Sequence, residues 1–184
     1  MAILKIAKMG HPVLGKRATA VADPTAPEIQ RLVADMVETM VDANGAGLAA
    51  PQVHVPLRLV VFQAPGERAD PGLSEEEAFD HTARLTVLIN PEVEILSGDT
   101  DGGWEGCLSV PGLRGYVERH AHIRYRGVDA NGNRIERTAR GFHARVVQHE
   151  VDHLNGILYP SRMNDLSKLI FESEVRHWAK GSGE

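Results

Sequence analysis

The segment from Phe142 to Leu154 constrains this chain more than any other. Phe142, Val146, Val147, Val151 and Leu154 recur at helical spacing, which predicts an amphipathic helix whose apolar stripe is buried against a core. Asn155-Gly156 supplies the stop. Inside the helix stands the pattern His149-Glu150-Val151-Asp152-His153. Side chains four apart on a helix lie one above the other, so the two imidazoles can grip one divalent cation while Glu150 reaches its bound water. The pattern predicts a catalytic metal. Two surface histidines and a solvated carboxylate would give the same letters by chance, so the rest of the chain has to discriminate.

Length and composition narrow the setting. The 184 residues fall within the roughly 100–200 of one domain, and 42% apolar content is enough for one sizeable core, so a single catalytic domain over residues 1–184 is expected. The formal net charge is −5 with no long basic run, which argues against DNA as a partner. No apolar stretch approaches the about 18 residues of a membrane helix, and the opening Met1 to Lys8 lacks the apolar run and cleavage site of a signal peptide. A cytoplasmic protein without a membrane partner is expected, an inner organelle staying open for a processed mature form. A single cysteine, Cys107, cannot form an internal disulfide, which agrees with a reducing compartment and leaves the thiol free for chemistry.

Along the chain, Thr25-x-x-Glu28 forms a candidate capping box, with Pro27 tolerated in the first turn and Ile29, Leu32, Val33, Met36, Val37, Met40 and Val41 following at helical spacing. This helix should end near Asn44-Gly45. Strands are predicted from Leu57 to Gln63, Leu85 to Asn90, Glu92 to Leu96, Tyr116 to Arg119, Ile123 to Val128 and Arg134 to Thr138, in a mostly antiparallel arrangement. The turn residues Asp129 to Asn133 join the last two as a hairpin. Residues 64–84 read as an exposed loop with at most one short helix. Leu166, Leu169, Ile170, Val175 and Trp178 predict a third helix capped by Asn164 or Asp165, before a flexible tail over 181–184.

A catalytic site of the zinc type takes three protein ligands, so a third must join the two histidines. Cys107 is the best candidate, held in Trp104-Glu105-Gly106-Cys107-Leu108-Ser109, although a lone cysteine is by itself most often a small buried hydrophobe. A third segment, Gly45-Ala46-Gly47-Leu48-Ala49-Ala50-Pro51-Gln52, matches the dinucleotide fingerprint G-x-G-x-x-A. Its position argues otherwise: the glycines follow a helix rather than a strand, and Pro51 disfavours helical backbone at Ala50. A glycine turn into a buried strand is the plainer alternative.

Taken in chain order, Gly45 to Gln52, Glu105 to Ser109 and Gln148 to His153 resemble peptide deformylase, and the resemblance extends over most of residues 1–180. It implies an α+β fold of mostly antiparallel strands around a central metal-binding helix, with an N-terminal and a C-terminal helix. It implies that Cys107, His149 and His153 bind the metal, that Glu150 is the general acid/base, and that the Gln52 side chain and the Leu108 backbone N–H donate to the carbonyl oxygen. Gly47 and Arg114 match positions that contact the bound peptide, and Gly103, Phe142 and Val146 match positions lining the methionine pocket. The implied activity is hydrolytic removal of the formyl group from the formyl-methionine of newly synthesised polypeptides, releasing formate. The implied metal is ferrous iron (Fe2+), with Zn2+, Ni2+ or Co2+ as substitutes, since a Cys-His₂ set suits several ions. Ribosome association, and the choice between monomer and homodimer, stay open. The chain departs from common members at Ala46, where a larger aliphatic is frequent, and at Arg145, where an apolar residue is usual, so both bear on the width and depth of the pocket.

Two other readings compete. A zincin-like metallopeptidase shares His-Glu-x-x-His but takes its third ligand after the motif, where Glu172, Glu174 and His177 are available. A non-catalytic metal-binding module would use the same ligands to staple the fold, but a structural site closes its fourth position with a further ligand, and Glu150 then has no role.

Overall fold

In a computed structural model, which describes residues 2–66, 72 and 74–181, the elements follow in the order α1 (Pro27–Asp42), β1 (Gly47–Ala49), β2 (Leu59–Ala64), α2 (Glu75–His81), β3 (Ala83–Ile95), β4 (Thr100–Cys107), β5 (Val110–His120), β6 (His122–Val128), β7 (Arg134–Arg140), α3 (Gly141–Leu154), β8 (Leu169–Phe171) and α4 (Val175–Gly181). They form a five-stranded sheet in the order β1-β2-β3-β6-β7 and a three-stranded sheet in the order β4-β5-β8. Every strand pairing within these sheets is antiparallel.

The five-stranded sheet is covered on both faces, and β2 shows how. Successive side chains of a strand point to opposite faces. Val60, Phe62 and Ala64 face α3, where they meet Leu88, Ile123, Tyr125, Val147 and Leu154. Leu59 and Val61 face α1, where they meet Val33, Met36, Met40 and Leu48. Each fully buried aliphatic or aromatic side chain of this kind is worth about 1.5–3 kcal/mol, so the two layers lock α1 and α3 onto the sheet. A smaller core of Val110, Val117 and Tyr159 supports the three-stranded sheet. The helix that carries the metal motif therefore has its apolar stripe fixed on one sheet while its other flank meets the second.

Several expected elements form as predicted and others are corrected. α1 begins at Pro27 with Ala26 as N-cap and no side-chain cap, so the Thr25 capping box does not form; the Thr25 hydroxyl donates to Asp23 instead. Asn44, at φ 51°, takes the left-handed conformation expected at the helix exit. The two strands predicted from Leu85 to Leu96 are one strand, β3. It passes Asn90 (φ 53°) and Pro91 through a register shift between Ile89 and Glu92, with the Asn90 amide exchanging hydrogen bonds of 2.9 Å with both backbone groups of Val21. The β6–β7 hairpin forms, and Asp129 Oδ1 accepts from the amides of Asn131 and Asn133 at 2.8 Å.

The exposed loop expected over residues 64–84 is shorter than predicted. Ala64 and Ala83 are buried strand residues, α2 occupies Glu75–His81, and 67–71 and 73 lie outside the described residues. The predicted third helix is also revised. Asp165 does cap a turn, its carboxylate accepting from the Ser167 amide, but that turn is a single 3-10 turn and Leu169–Phe171 then becomes β8. The exposed edge of β5 wins this apolar Leu-Ile-Phe run by pairing Leu113 with Phe171, Arg114 with Ile170 and Gly115 with Leu169. After a second 3-10 turn over Glu172–Glu174, only Val175–Gly181 is α-helical among the described residues of this segment, and the rest of the expected tail lies outside them. β4 was not predicted at all. Among the described residues, no helix is long and apolar enough to cross a membrane.

Candidate active site

Cys107 ends β4, Val110 begins β5, and the two pair across a tight turn made by Leu108 and Ser109. That hairpin tip brings the thiol against α3. The Cys107 Sγ lies 3.3 Å from His153 Nε2, and one ligand atom from each of Cys107, His149 and His153 falls within 4.8 Å of the others. Glu172, Glu174 and His177 are not part of this cluster: Glu172 pairs with Arg114, and Glu174 lies 3.8 Å from His177.

The cluster fits a divalent ion on the chemistry of its donors. His149 Nδ1 is 2.8 Å from Glu105 Oε2, so its Nε2 is left to ligate, the usual way a carboxylate sets the tautomer of a metal-bound imidazole. Glu105 is the residue that reading the sequence missed. It is buried, takes two hydrogen bonds of 2.9 Å from Arg119 and one of 3.0 Å from Arg145. Burial alone would raise its carboxyl, but the bonds from Arg119 and His149 hold it well below the ordinary carboxylate range. The same Arg119 donates to Asp152 on α3, and Asp152 takes two further bonds from Arg162. The only sequence signal for this network was the position of Glu105 beside Gly106-Cys107.

Glu150 is 4% exposed, and its Oε2 has no hydrogen-bond partner among the described residues. Burial pushes its pKa up to about 7, before the charge of any ion beside it is counted. The carboxylate lies directly over Gly47, where an added Cβ would stand 2.2 Å from Oε1. Gln52 follows β1 in a 3-10 turn. Its Oε1 accepts from the Ala49 amide at 2.8 Å, which turns Nε2 toward Ser109 Oγ (3.1 Å) and Cys107 Sγ (3.5 Å). The Lys8 ammonium donates to the Leu108 carbonyl at 2.9 Å and so holds the turn whose amide was singled out.

A cavity of about 550 Å³ opens over the cluster, lined by Gly47, Gln52, Cys107, Leu108, Arg114, Phe142, Val146, His149 and Glu150 among others. Ten of the eleven residues singled out from the sequence thus gather at the cluster or in its cavity, His153 among them as a candidate ligand behind the lining. Gly103 does not line the cavity. Its missing Cβ would lie 2.9 Å from the Arg145 guanidinium, which covers it and donates to the backbone carbonyls of Asp101 (2.7 Å) and Val117 (2.8 Å). Arg145 therefore stands in an apolar position without leaving an unpaired charge.

The comparisons with known proteins agree with this geometry. Residues 3–169 match the family model described as polypeptide deformylase. The chain is 52% identical over 165 residues to peptide deformylase 2 of Bordetella bronchiseptica, covering 89% of each. Among solved structures, a Met-Ala-Ser-bound class I type b peptide deformylase from Acinetobacter baumannii is 35% identical with a TM-score of 0.76, covering 88% of this chain and 98% of that one. The peptide deformylase of Ehrlichia chaffeensis is 32% identical with a TM-score of 0.79, covering 98% and 97%. With a family model spanning most of its length and a relative of this identity, the chain belongs to the polypeptide deformylase family.

Proposed function

We propose that this chain, as one catalytic domain, hydrolyses the N-terminal formamide of formyl-methionyl polypeptides, releasing formate and a free N-terminus. The observation that carries the reading is the convergence of a thiol and two imidazoles beside the buried Glu150 carboxylate, whose Oε2 has no hydrogen-bond partner among the described residues. The ion that Cys107, His149 and His153 would hold supplies Lewis acidity, lowering the pKa of a bound water from 15.7 toward about 7. Glu150, one residue from a ligand, takes the proton of the attacking water and later returns it to the leaving amine. As the formyl carbon becomes tetrahedral, negative charge grows on its oxygen, where Gln52 Nε2 and the Leu108 amide donate; one such donor is worth about 3–4 kcal/mol. The Ala49 amide supports this role for Gln52 by holding its Oε1 and turning Nε2 toward Cys107 Sγ and Ser109 Oγ. Phe142 and Val146, which line the cavity, would give an apolar wall for the methionine side chain, and Arg114, a part-exposed lining residue, would meet the peptide beyond it.

We infer that the resident ion is ferrous iron, with zinc, nickel and cobalt able to occupy the same donors, and that the substrate is the newly made chain, met in the cytoplasm near the ribosome by a monomer or homodimer. The test is formate release from formyl-Met-Ala-Ser under anaerobic conditions with ferrous iron. Turnover is expected with iron and not after chelation. Cleavage of an internal peptide bond with no formate would instead favour the metallopeptidase reading.

A further inference from the structure

The rim of the cavity carries an ion pair, Arg114 with Glu172, that takes no part in the hydrolytic step itself. Arg114 leaves β5 and lies over Gly106, where an added Cβ would stand 2.5 Å from its Nη1, so the guanidinium covers the backbone next to Cys107. Glu172 arrives from the other side. It follows β8, whose Ile170 pairs with Arg114 itself, and its Oε1 accepts from Arg114 Nε at 3.1 Å and also from Nη2. Both side chains line the cavity, and with 39% and 56% of their surface exposed neither is needed to fill the core.

An unpaired arginine at a cleft mouth draws carboxylates to itself through bidentate donation. Here the Nε–Nη2 edge of the guanidinium is taken by Glu172 Oε1, so an incoming carboxylate must either displace that negative group or share the arginine with it at close range. Lys8, also at the rim, is bonded to the Leu108 carbonyl. We propose that Glu172 is a specificity-determining residue, which by occupying Arg114 turns the cleft away from peptides that carry a carboxylate downstream of the formyl-methionine and toward neutral or basic ones. The proposal rests on the deformylation reading and adds the charge class of the substrate to it.

The test uses the metal-loaded full chain with formyl-Met-Ala-Ser, formyl-Met-Ala-Glu and formyl-Met-Ala-Lys as C-terminal amides. Formyl-Met-Ala-Ser with a free C-terminus is added, so that a side-chain carboxylate and a terminal one are told apart. The kcat/KM of each is referred to the neutral amide within each variant. Glu172→Gln should raise the Glu-to-Ser ratio roughly two- to fivefold, the size of an exposed ion pair, mainly through KM, and lower the Lys-to-Ser ratio. The gain should fade in high salt and vanish in Arg114→Gln/Glu172→Gln. Unchanged ratios in a Glu172→Gln protein that still hydrolyses the neutral peptide would overturn the proposal and leave the pair a tie between β5 and β8. Absence of formate from the parent chain with every peptide would instead overturn the deformylation reading, and the proposal with it.

Discussion

Replacing Gly47 by alanine tests the placement of Glu150 without touching either charge or ligand. The new Cβ would lie 2.2 Å from Glu150 Oε1, 2.5 Å from Cδ and 2.7 Å from Cγ, where ordinary contact starts at 3.4 Å. Relieving the closest contact by moving the carboxylate alone takes about 1.2 Å, the difference between 3.4 and 2.2 Å. A displacement of about 1 Å in a catalytic group is enough to lose on the order of 10²-fold in rate, about 2.7 kcal/mol of barrier. Gly47 is not among the residues in the left-handed region, so the methyl brings no backbone strain, and the crowding against Glu150 should cost about 1–3 kcal/mol, which leaves the variant folded. Formate release from formyl-Met-Ala-Ser, followed through a coupled formate dehydrogenase at matched metal content, is expected to show kcat lowered about a hundredfold. Gly45→Ala is the control: its nearest neighbour is the end of the Leu108 side chain at 3.1 Å, which can give, so the loss should be far smaller. If Gly47→Ala keeps kcat within about threefold of the parent, roughly 0.6 kcal/mol, the steric account of how Glu150 is held is wrong.

Three further outcomes follow from the site and its support. Cys107→Ala should lose bound metal, measured by elemental analysis, along with formate release, whereas Glu174→Ala should retain both; the opposite result would point to a ligand set reaching the C-terminal segment. Glu105→Gln strips buried Arg145 of its close counter-charge and leaves buried Arg119 with Asp152 alone; it should cost about 3–5 kcal/mol, lowering the melting temperature by roughly 6–20 °C, and a fall of less than about 2 °C would refute the network's structural weight. His143, fully buried against Tyr125 and the Asp80 carbonyl, has its pKa pushed down by burial from 6.5 to about 4. Its folded value lies below its unfolded one, so its contribution is whole above pH 6.5 and is lost as pH falls toward 4, by about 3 kcal/mol in all. Urea unfolding at pH 7.5 and 4.5 should show this slope flattened in His143→Gln, and an equal slope in both proteins would exclude His143 as its source.

What could be read in the sequence was what depends on short-range pattern. α1 and α3 announce themselves because their stripes hold helical period over several turns, β2 because it is a short β-branched and aromatic run buried on both faces, and β6 and β7 because such runs flank clear turn residues. The candidate ligands were legible because two come from one helix and the third is the chain's only cysteine. β4 was invisible for a physical reason: Gly102, Gly103 and Gly106 remove the β-branched character that marks a strand, and they are there because Tyr116, Arg145 and Arg114 occupy the space a Cβ would fill. β8 was misread because Leu169 and Ile170 continue the helical spacing of Leu166, Val175 and Trp178 as readily as they fit a strand, and the free edge of β5 decides between them. Glu105 was passed over since its partners, Arg119, Arg145 and His149, stand 14, 40 and 44 residues away.

The spread of the site along the chain has a consequence for when it can work. Gln52 follows the edge strand of one sheet, Cys107 closes a hairpin of the other, and His149 to His153 come late on a helix between them, with Gln52 55 residues from Cys107 and Cys107 46 from His153. Contacts so distant in sequence form after the local ones, because loop closure must precede them. A copy still being synthesised, or one in which either sheet has come loose, thus holds every ligand and no site. Chemistry appears only when the whole molecule has closed, which makes turnover itself a stringent reporter of complete folding.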